Sequence, residues 1–225
     1  MEIRFLGHAA FEFTSNGTNV LADPFLTGNP KAAAKADDLN PDVILLTHGH
    51  GDHYGDIVSI AKRSGAAVVA ITEIAGELQE EGLEHVNNPN LGGTVNFDWG
   101  WARLVPALHS STTPKGTVSP AAGIVFELGG KVVYHVGDTA LFSDLELVGR
   151  RYPIDVALVP IGGHFTMDHE DAVEAVRLIA PRQVIPCHYG TFPPIETDPE
   201  VFKADVESST ASEVVVLAPG ETQAI

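Results

Sequence analysis

At 225 residues and 44% hydrophobic, the chain has material for one large domain, and no stretch reaches the roughly 18 consecutive apolar residues of a membrane span. Its 30 acidic against 13 basic residues set a net charge of −17, which repels nucleic acid and anionic lipid, so neither is expected as a partner. The lone cysteine, Cys187, excludes an internal disulfide; the N-terminus enters an alternating pattern without a basic–apolar–small leader, so a cytoplasmic location is the expectation.

Alternation over residues 3–8 and 10–14, a Ser-Asn-Gly-Thr turn at 15–18 and alternation over 19–23 predict an antiparallel opening. Residues 24–41, rich in Pro, Gly and Ala, read as a loop with one short helix. A buried strand over 43–47 runs directly into His48-Gly49-His50-Gly51-Asp52-His53. Then come a helix over 54–64 stopped by Gly65, a strand over 66–71, and a helix over 72–81 with Thr72 as its N-cap. The second half repeats this order loosely. Strands are predicted over 94–97 and 101–108, a Ser/Thr-rich loop over 109–122, and a hairpin over 123–128 and 131–136 around Gly129-Gly130. A helix over 141–150, a strand over 156–160, an amphipathic helix over 168–179, a strand over 184–187, a helix over 199–208 and a strand over 214–217 complete the chain. Strands first, then alternating strand and helix, suits two sheets packed face to face with helices outside, in one domain spanning residues 1–225.

The loop at 48–53 carries four metal-ligand side chains in six positions, with glycines at 49 and 51 expected to let the backbone turn tightly. More such residues follow predicted strands: His109 after 101–108, Asp138 after 131–136, His188 after 184–187. Repeated placement of ligand types at strand ends is how a sheet scaffold builds a site. There are more ligands than one tetrahedral ion needs, so two ions sharing one site is the economical reading.

This order of residues resembles the metallo-β-lactamase superfamily, and most of all its small metal-dependent hydrolases related to the L-ascorbate-6-phosphate lactonases. Gly7-His8-Ala9, Asp23-Pro24, His48 to His53, Gly137-Asp138-Thr139 and Cys187-His188-Tyr189 carry the likeness, which spans residues 23 to 188. The resemblance implies an α/β, four-layer αββα sandwich (the metallo-β-lactamase fold) in which His48, His50 and His109 hold one divalent ion. It likewise implies that Asp52, His53 and His188 hold a second, that Asp138 bridges them, and that Asp23 orients the histidine loop. Zinc is the expected metal, with Mn²⁺ and Fe²⁺ as alternatives, since imidazole and carboxylate accept all three. Two such ions about 3.5–4 Å apart hold a bridging hydroxide at neutral pH. They outweigh Asp52, Asp138 and that hydroxide in charge, so a small anionic ester, lactone or phosphodiester is the expected substrate.

His8 at the end of the first strand, and His164 in the Gly162-Gly163-His164-Phe165 loop, are further catalytic candidates: His8 as general acid, substrate contact or donor to a ligand, His164 as the acid for the leaving group. His135 is expected in the core, His169 and His85 in solvent, Cys187 as a buried thiol, and Phe165, Tyr189 and Phe192 as candidates for an apolar rim. Alternatives are a nuclease of the same superfamily, disfavoured by the acidic charge, and a non-enzymatic metal-binding protein. A diiron redox centre is disfavoured because that branch carries Glu where this chain has His50, and a β-lactamase because no export leader is visible. Assembly into a homo-oligomer is left open.

Overall fold

The computed structural model describes residues 1–225. Its elements are β1 (Glu2–Gly7), β2 (Ala10–Ser15), β3 (Thr18–Ala22), β4 (Val43–Leu45), α1 (Gly51–Tyr54), α2 (Ile57–Ser64), β5 (Ala67–Val69), α3 (Thr72–Glu80), β6 (Val86–Asn87), β7 (Thr94–Phe97), β8 (Gly100–Pro106), β9 (Ala122–Leu128), β10 (Lys131–His135), α4 (Leu145–Arg151), β11 (Val156–Pro160), α5 (His169–Ile179), β12 (Gln183–Cys187), α6 (Pro199–Ser209), β13 (Glu213–Val214) and β14 (Thr222–Ala224). Two seven-stranded sheets result, in the orders β14-β1-β2-β3-β4-β5-β6 and β13-β12-β11-β10-β9-β8-β7.

Strand alternation decides which side chain enters which layer. In β9, Ala122, Ile124, Phe126 and Leu128 face the opposite sheet, while Val125 faces the helices. In β11, Val156 and Leu158 point between the sheets and Ala157 and Val159 point outward; in β12, Ile185 and Cys187 point between the sheets and Val184 outward. These strands read as continuous apolar runs because both faces are covered. α4, α5 and α6 cover the second sheet through Leu145, Val148, Val173, Val176, Phe202 and Val206. α2 and α3 bury Ile57, Ile60, Ile74 and Leu78 against the first. The result is the four-layer αββα sandwich. Phe126, fully buried between the sheets, illustrates the energetics: its truncation to Ala would cost about 3–5 kcal/mol.

Pairing directions align the functional ends. β1 and β3 each run antiparallel to β2, and β4, β5 and β6 follow β3 in parallel. In the second sheet β8 and β10 flank the antiparallel β9, and β11 and β12 follow β10 in parallel. The C-terminal ends of β1, β3 and β4 therefore share one edge of the first sheet, and those of β8, β10, β11 and β12 one edge of the second.

Several local expectations fail for tertiary reasons. The helix over 54–64 is two helices, broken at Gly55 (φ 37°), because the Asp56 carboxylate accepts the backbone N–H groups of Leu26 and Thr27 at 3.0 and 2.8 Å. Thr72 is not an N-cap; that position is Ile71, and the Thr72 hydroxyl donates to Asn88 O at 3.1 Å. The helix over 141–150 begins only at Leu145. β6 and β14 carry no readable alternation and exist through backbone pairing at the sheet edges.

Candidate metal centre

The shared edge brings every proposed ligand together. His48, His50 and His109 offer ring nitrogens within 4.8 Å of one another; His8, His53 and His188 with an Asp52 carboxylate oxygen form a second such group, and His48 and His53 with an Asp138 carboxylate oxygen a third. His48 Nε2 lies 3.1 Å from His50 Nδ1. Asp138 stands between the groups: Oδ1 is 3.3 Å from His53 Nε2, and Oδ2 is 3.2 Å from His188 Nε2, 3.5 Å from His109 Nε2 and 3.8 Å from His48 Nε2. Asp52 Oδ2 is 3.7 Å from His188 Nε2.

The donor set fits a cation. His53 Nε2 and both ring nitrogens of His188 are buried without a hydrogen-bond partner, a costly state for a polar atom unless something else satisfies it. Burial works against charge on His53, but Asp138 and Asp23 outweigh it and hold its pKa well above the ordinary value. His188, also opposed by burial, is raised to about 9 by the negative charge of Asp138 and the nearby Asp52 carboxylate. Burial pushes the Asp138 carboxyl upward, yet His53 and His188 more than reverse that and leave it well below the carboxylate range. His48 and His109 are lowered, chiefly by burial, and so present neutral imidazoles.

Asp23 orients two of the ligands from behind. Its Oδ1 accepts Thr47 N–H at 2.9 Å, and its Oδ2 accepts the Thr47 hydroxyl at 2.6 Å and His53 Nδ1–H at 2.7 Å. Thr47 Oγ1, its proton given to Asp23, accepts from His48 Nδ1 at 3.1 Å. Both Nδ1 atoms are therefore donors, which leaves both Nε2 lone pairs facing the centre.

A second brace joins the histidine loop to the 109–122 loop. Gly49 N–H donates to Ser111 Oγ at 3.0 Å, and Ser111 Oγ lies 2.8 Å from Ser119 Oγ. Thr113 Oγ1 donates to the buried Glu77 of α3. A Cβ at residue 49 would sit 2.9 Å from Thr113 Cγ2 and Thr113 N, so glycine is needed there for close approach rather than for a tight turn; Gly51 has open space and simply starts α1. Thr47 and Glu77 escaped the sequence reading; Ser111 and Thr113, readable there only as loop hydroxyls able to bond an anion, act instead in this brace. A Glu on the apolar face of a helix was the one available signal, at position 77.

His8 is buried behind Asp52 and is absent from the lining of the cavity. Burial above all lowers its pKa to about 4; the neutral ring donates from Nε2 to Asp52 Oδ2 at 3.1 Å, and its Nδ1 is 2.9 Å from Thr191 Oγ1. Its place is that of a hydrogen-bond donor to the Asp52 carboxylate, behind the cavity lining. His164 is exposed, packs edge-on against Phe165 at 4.5 Å and also stays outside the lining. His135 is buried, with Nε2 3.2 Å from Ala9 O; His169 is not simply solvated but pairs with Asp205 at 2.7 Å; His85 is exposed. Cys187 is a buried thiol whose pKa burial pushes well up. No helix is long and apolar enough to cross a membrane.

A cavity of about 520 Å³ opens over this edge, lined by the polar His50, Asp52, His109, Ser110 and Asp138 and the apolar Phe165, Phe192 and Pro194. Tyr189 does not line it and packs instead against the outer core of the second sheet.

Comparison with known proteins points the same way. Residues 2–188 match the family described as the Beta-lactamase superfamily domain. A UPF0173 metal-dependent hydrolase of Methanopyrus kandleri is 51% identical over 227 residues, covering 99% of each chain. One of Thermus thermophilus is 49% identical over 98% of this chain and 97% of its own. Among solved structures, Igni18 of the hyperthermophilic archaeon Ignicoccus hospitalis, described as a novel metallo hydrolase, is 39% identical, with a TM-score of 0.90 over 99% of this chain and 97% of that one.

Proposed function

Because the chain belongs to the metallo-β-lactamase superfamily, as a metal-dependent hydrolase, we propose that it works with two divalent ions, zinc foremost, to hydrolyse a small ester, lactone or phosphodiester. The observation that carries this reading is Asp138, whose carboxylate is approached by His53 and His188 through one group of ligands and by His48 and His109 through the other. His48, His50 and His109 would hold one ion, Asp52, His53 and His188 the other, with Asp138 shared. When bound, such ions supply a hydroxide at neutral pH and an electrophile for the developing oxyanion.

The remaining work falls to the chain itself. Asp23 and Thr47 fix the two Nε2 lone pairs, and His8 holds Asp52 in place. Ser110 is the one lining hydroxyl, placed to donate to a substrate oxygen. His164, exposed beside Phe165, is proposed as the proton donor to the leaving group. A cavity that opens onto four of the ligands favours catalysis over a closed structural site, which would be saturated by protein groups.

Metal analysis of the purified chain should return about two ions per chain, and the loaded protein should hydrolyse at least one of bis-p-nitrophenyl phosphate, simple lactones and acyl-homoserine lactones. One ion per chain overturns the dinuclear assignment, and no turnover across the panel overturns the hydrolytic one.

A further inference from the structure

The cavity lining is of two chemistries. Every polar lining group except Ser110 is a proposed metal ligand. The rest of the lining is Phe165, Phe192 and Pro194, and no Lys or Arg is among the lining residues. Lys115, on the loop beside His109, is engaged instead by Glu81. A substrate anchored by a second anionic group, such as a phosphorylated sugar lactone, would find no side-chain cation to receive it.

The apolar wall is preformed. Phe192 packs edge-on against His8 at 5.6 Å and beside Phe25 at 6.5 Å; Thr191 before it and Ile195 three residues on are buried, while Pro193 and Pro194 between them are exposed. Phe165 is 52% exposed, yet it is held at the tip of a turn: Gly163 N–H donates to Met167 O at 3.0 Å, and Met167 N–H donates to Thr139 O at 3.0 Å. That last bond ties the turn that carries Phe165 to the residue next to Asp138. A large phenyl half in water, pinned over a polar centre, is placed for a ligand's apolar face rather than for the core.

Resting on the hydrolase reading, we infer that the substrate carries a flat or branched apolar substituent next to a single hydrolysable centre of at most one negative charge, and that Phe165 and Phe192 select it. Phosphomonoesters and phosphorylated lactones are then poor substrates.

The test compares matched pairs on the metal-loaded full chain. For turnover the pairs are bis-p-nitrophenyl phosphate against methyl p-nitrophenyl phosphate, and a phenyl-substituted against an unsubstituted lactone. For binding, calorimetry compares methylphenylphosphinate and dimethylphosphinate, monoanions that contain no ester bond to cleave. The aryl member of each pair is expected to be favoured at least about 10-fold, the range in which apolar pockets discriminate. That ratio should collapse several-fold, mainly through KM, in Phe165→Ala and Phe192→Ala, while p-nitrophenyl phosphate, a dianion, should be the weakest substrate. Equal ratios in wild type and variants, or preferred turnover of the dianion, overturn the inference while leaving the hydrolase reading intact. Aryl-selective binding without turnover of any compound does the reverse.

Discussion

The Asp23 carboxylate and the His53 imidazole, 2.7 Å apart and both fully buried, join the end of β3 to the histidine loop after β4. The bond leaves His53 Nε2 as its free donor atom beside Asp138. Asp23 thus contributes to the centre without touching its interior. Its pKa is lowered despite burial, because His53, His135 and Thr47 favour its charged form.

Asp23→Ala strands Thr47 N–H, the Thr47 hydroxyl and His53 Nδ1–H at once, and a broken buried pair of this kind costs about 3–5 kcal/mol. Asp23→Asn keeps an oxygen acceptor but removes the charge that fixes the His53 tautomer, so the variant should fold yet bind metal about 10–100-fold more weakly. Chemical denaturation of the first variant and chelator competition with the second provide the measurements. Unchanged metal affinity in Asp23→Asn would show that Asp23 only packs.

Metal loading should be a proton exchange. In the metal-free chain the raised pKa values of His53 and His188 (about 9 for the latter) mean that both rings carry a proton at neutral pH. A cation must displace them, so apparent affinity should climb as pH rises towards about 9 and then level off. The stability of the metal-free chain responds in the opposite sense. A raised folded-state pKa gives a contribution fully present below the unfolded value of 6.5 and lost as pH rises through about 9. Calorimetric titrations in buffers of different ionisation enthalpy, together with unfolding of chelator-treated protein from pH 6.5 to 9, measure both. Absence of proton release at pH 7 would contradict the charge state assigned to His53 and His188.

The position of His109 should depend on Glu77. Removing the acceptor of the Thr113 hydroxyl by Glu77→Ala should cost about 1–3 kcal/mol and loosen the 109–122 loop. Glu77→Gln should be close to neutral, because its amide oxygen can still accept from Thr113 and its NH₂ can reach the Tyr54 hydroxyl, which, like Glu77 Oε1, is buried without a partner. Gly49→Ala attacks the same junction from the other side: its methyl group meets Thr113 backbone at 2.9 Å, and overpacking of this kind costs about 1–3 kcal/mol. Thermal unfolding with metal analysis separates these outcomes; a fully stable, fully loaded Gly49→Ala would remove the brace from the account.

The seven proposed ligands were legible because metal chemistry restricts residue type and because apolar strands announce where their ends lie. The 48–53 loop directly follows a strand with no polar residue before Thr47, and Asp138 and His188 follow strands with apolar centres, although β10 also carries Lys131 and His135 and β12 starts at Gln183. What lay hidden depends on contacts between distant segments. Nothing local marks Ser111 as the acceptor for Gly49, or Glu77 as the anchor of Thr113, since each is an ordinary residue until the loops meet. The break at Gly55 is likewise set by a bond from the Asp56 carboxylate to residues 29 and 30 positions earlier. β14 pairs with β1 through the backbone of Thr222, Gln223 and Ala224, none of which carries a strand's apolar face.

His8 and His164 should separate in a paired experiment. His8→Ala removes the donor to Asp52 Oδ2 and the Thr191 contact, so affinity for the ion proposed at Asp52, His53 and His188 should fall about 10–100-fold and activity should fall with it. His8→Gln, whose amide can still donate, should recover part of both. His164 touches no proposed ligand, so His164→Gln should bind metal as the parent does. Its effect should instead depend on the leaving group: a general acid contributes about 10²–10⁴-fold when the departing alkoxide is basic and far less for p-nitrophenolate, which leaves without a proton. Metal content and kcat for an alkyl and a nitrophenyl ester measured side by side therefore distinguish the two histidines. An equal loss of kcat on both esters in His164→Gln would remove it from the proton path, and a fully loaded His8→Ala would confine His8 to packing.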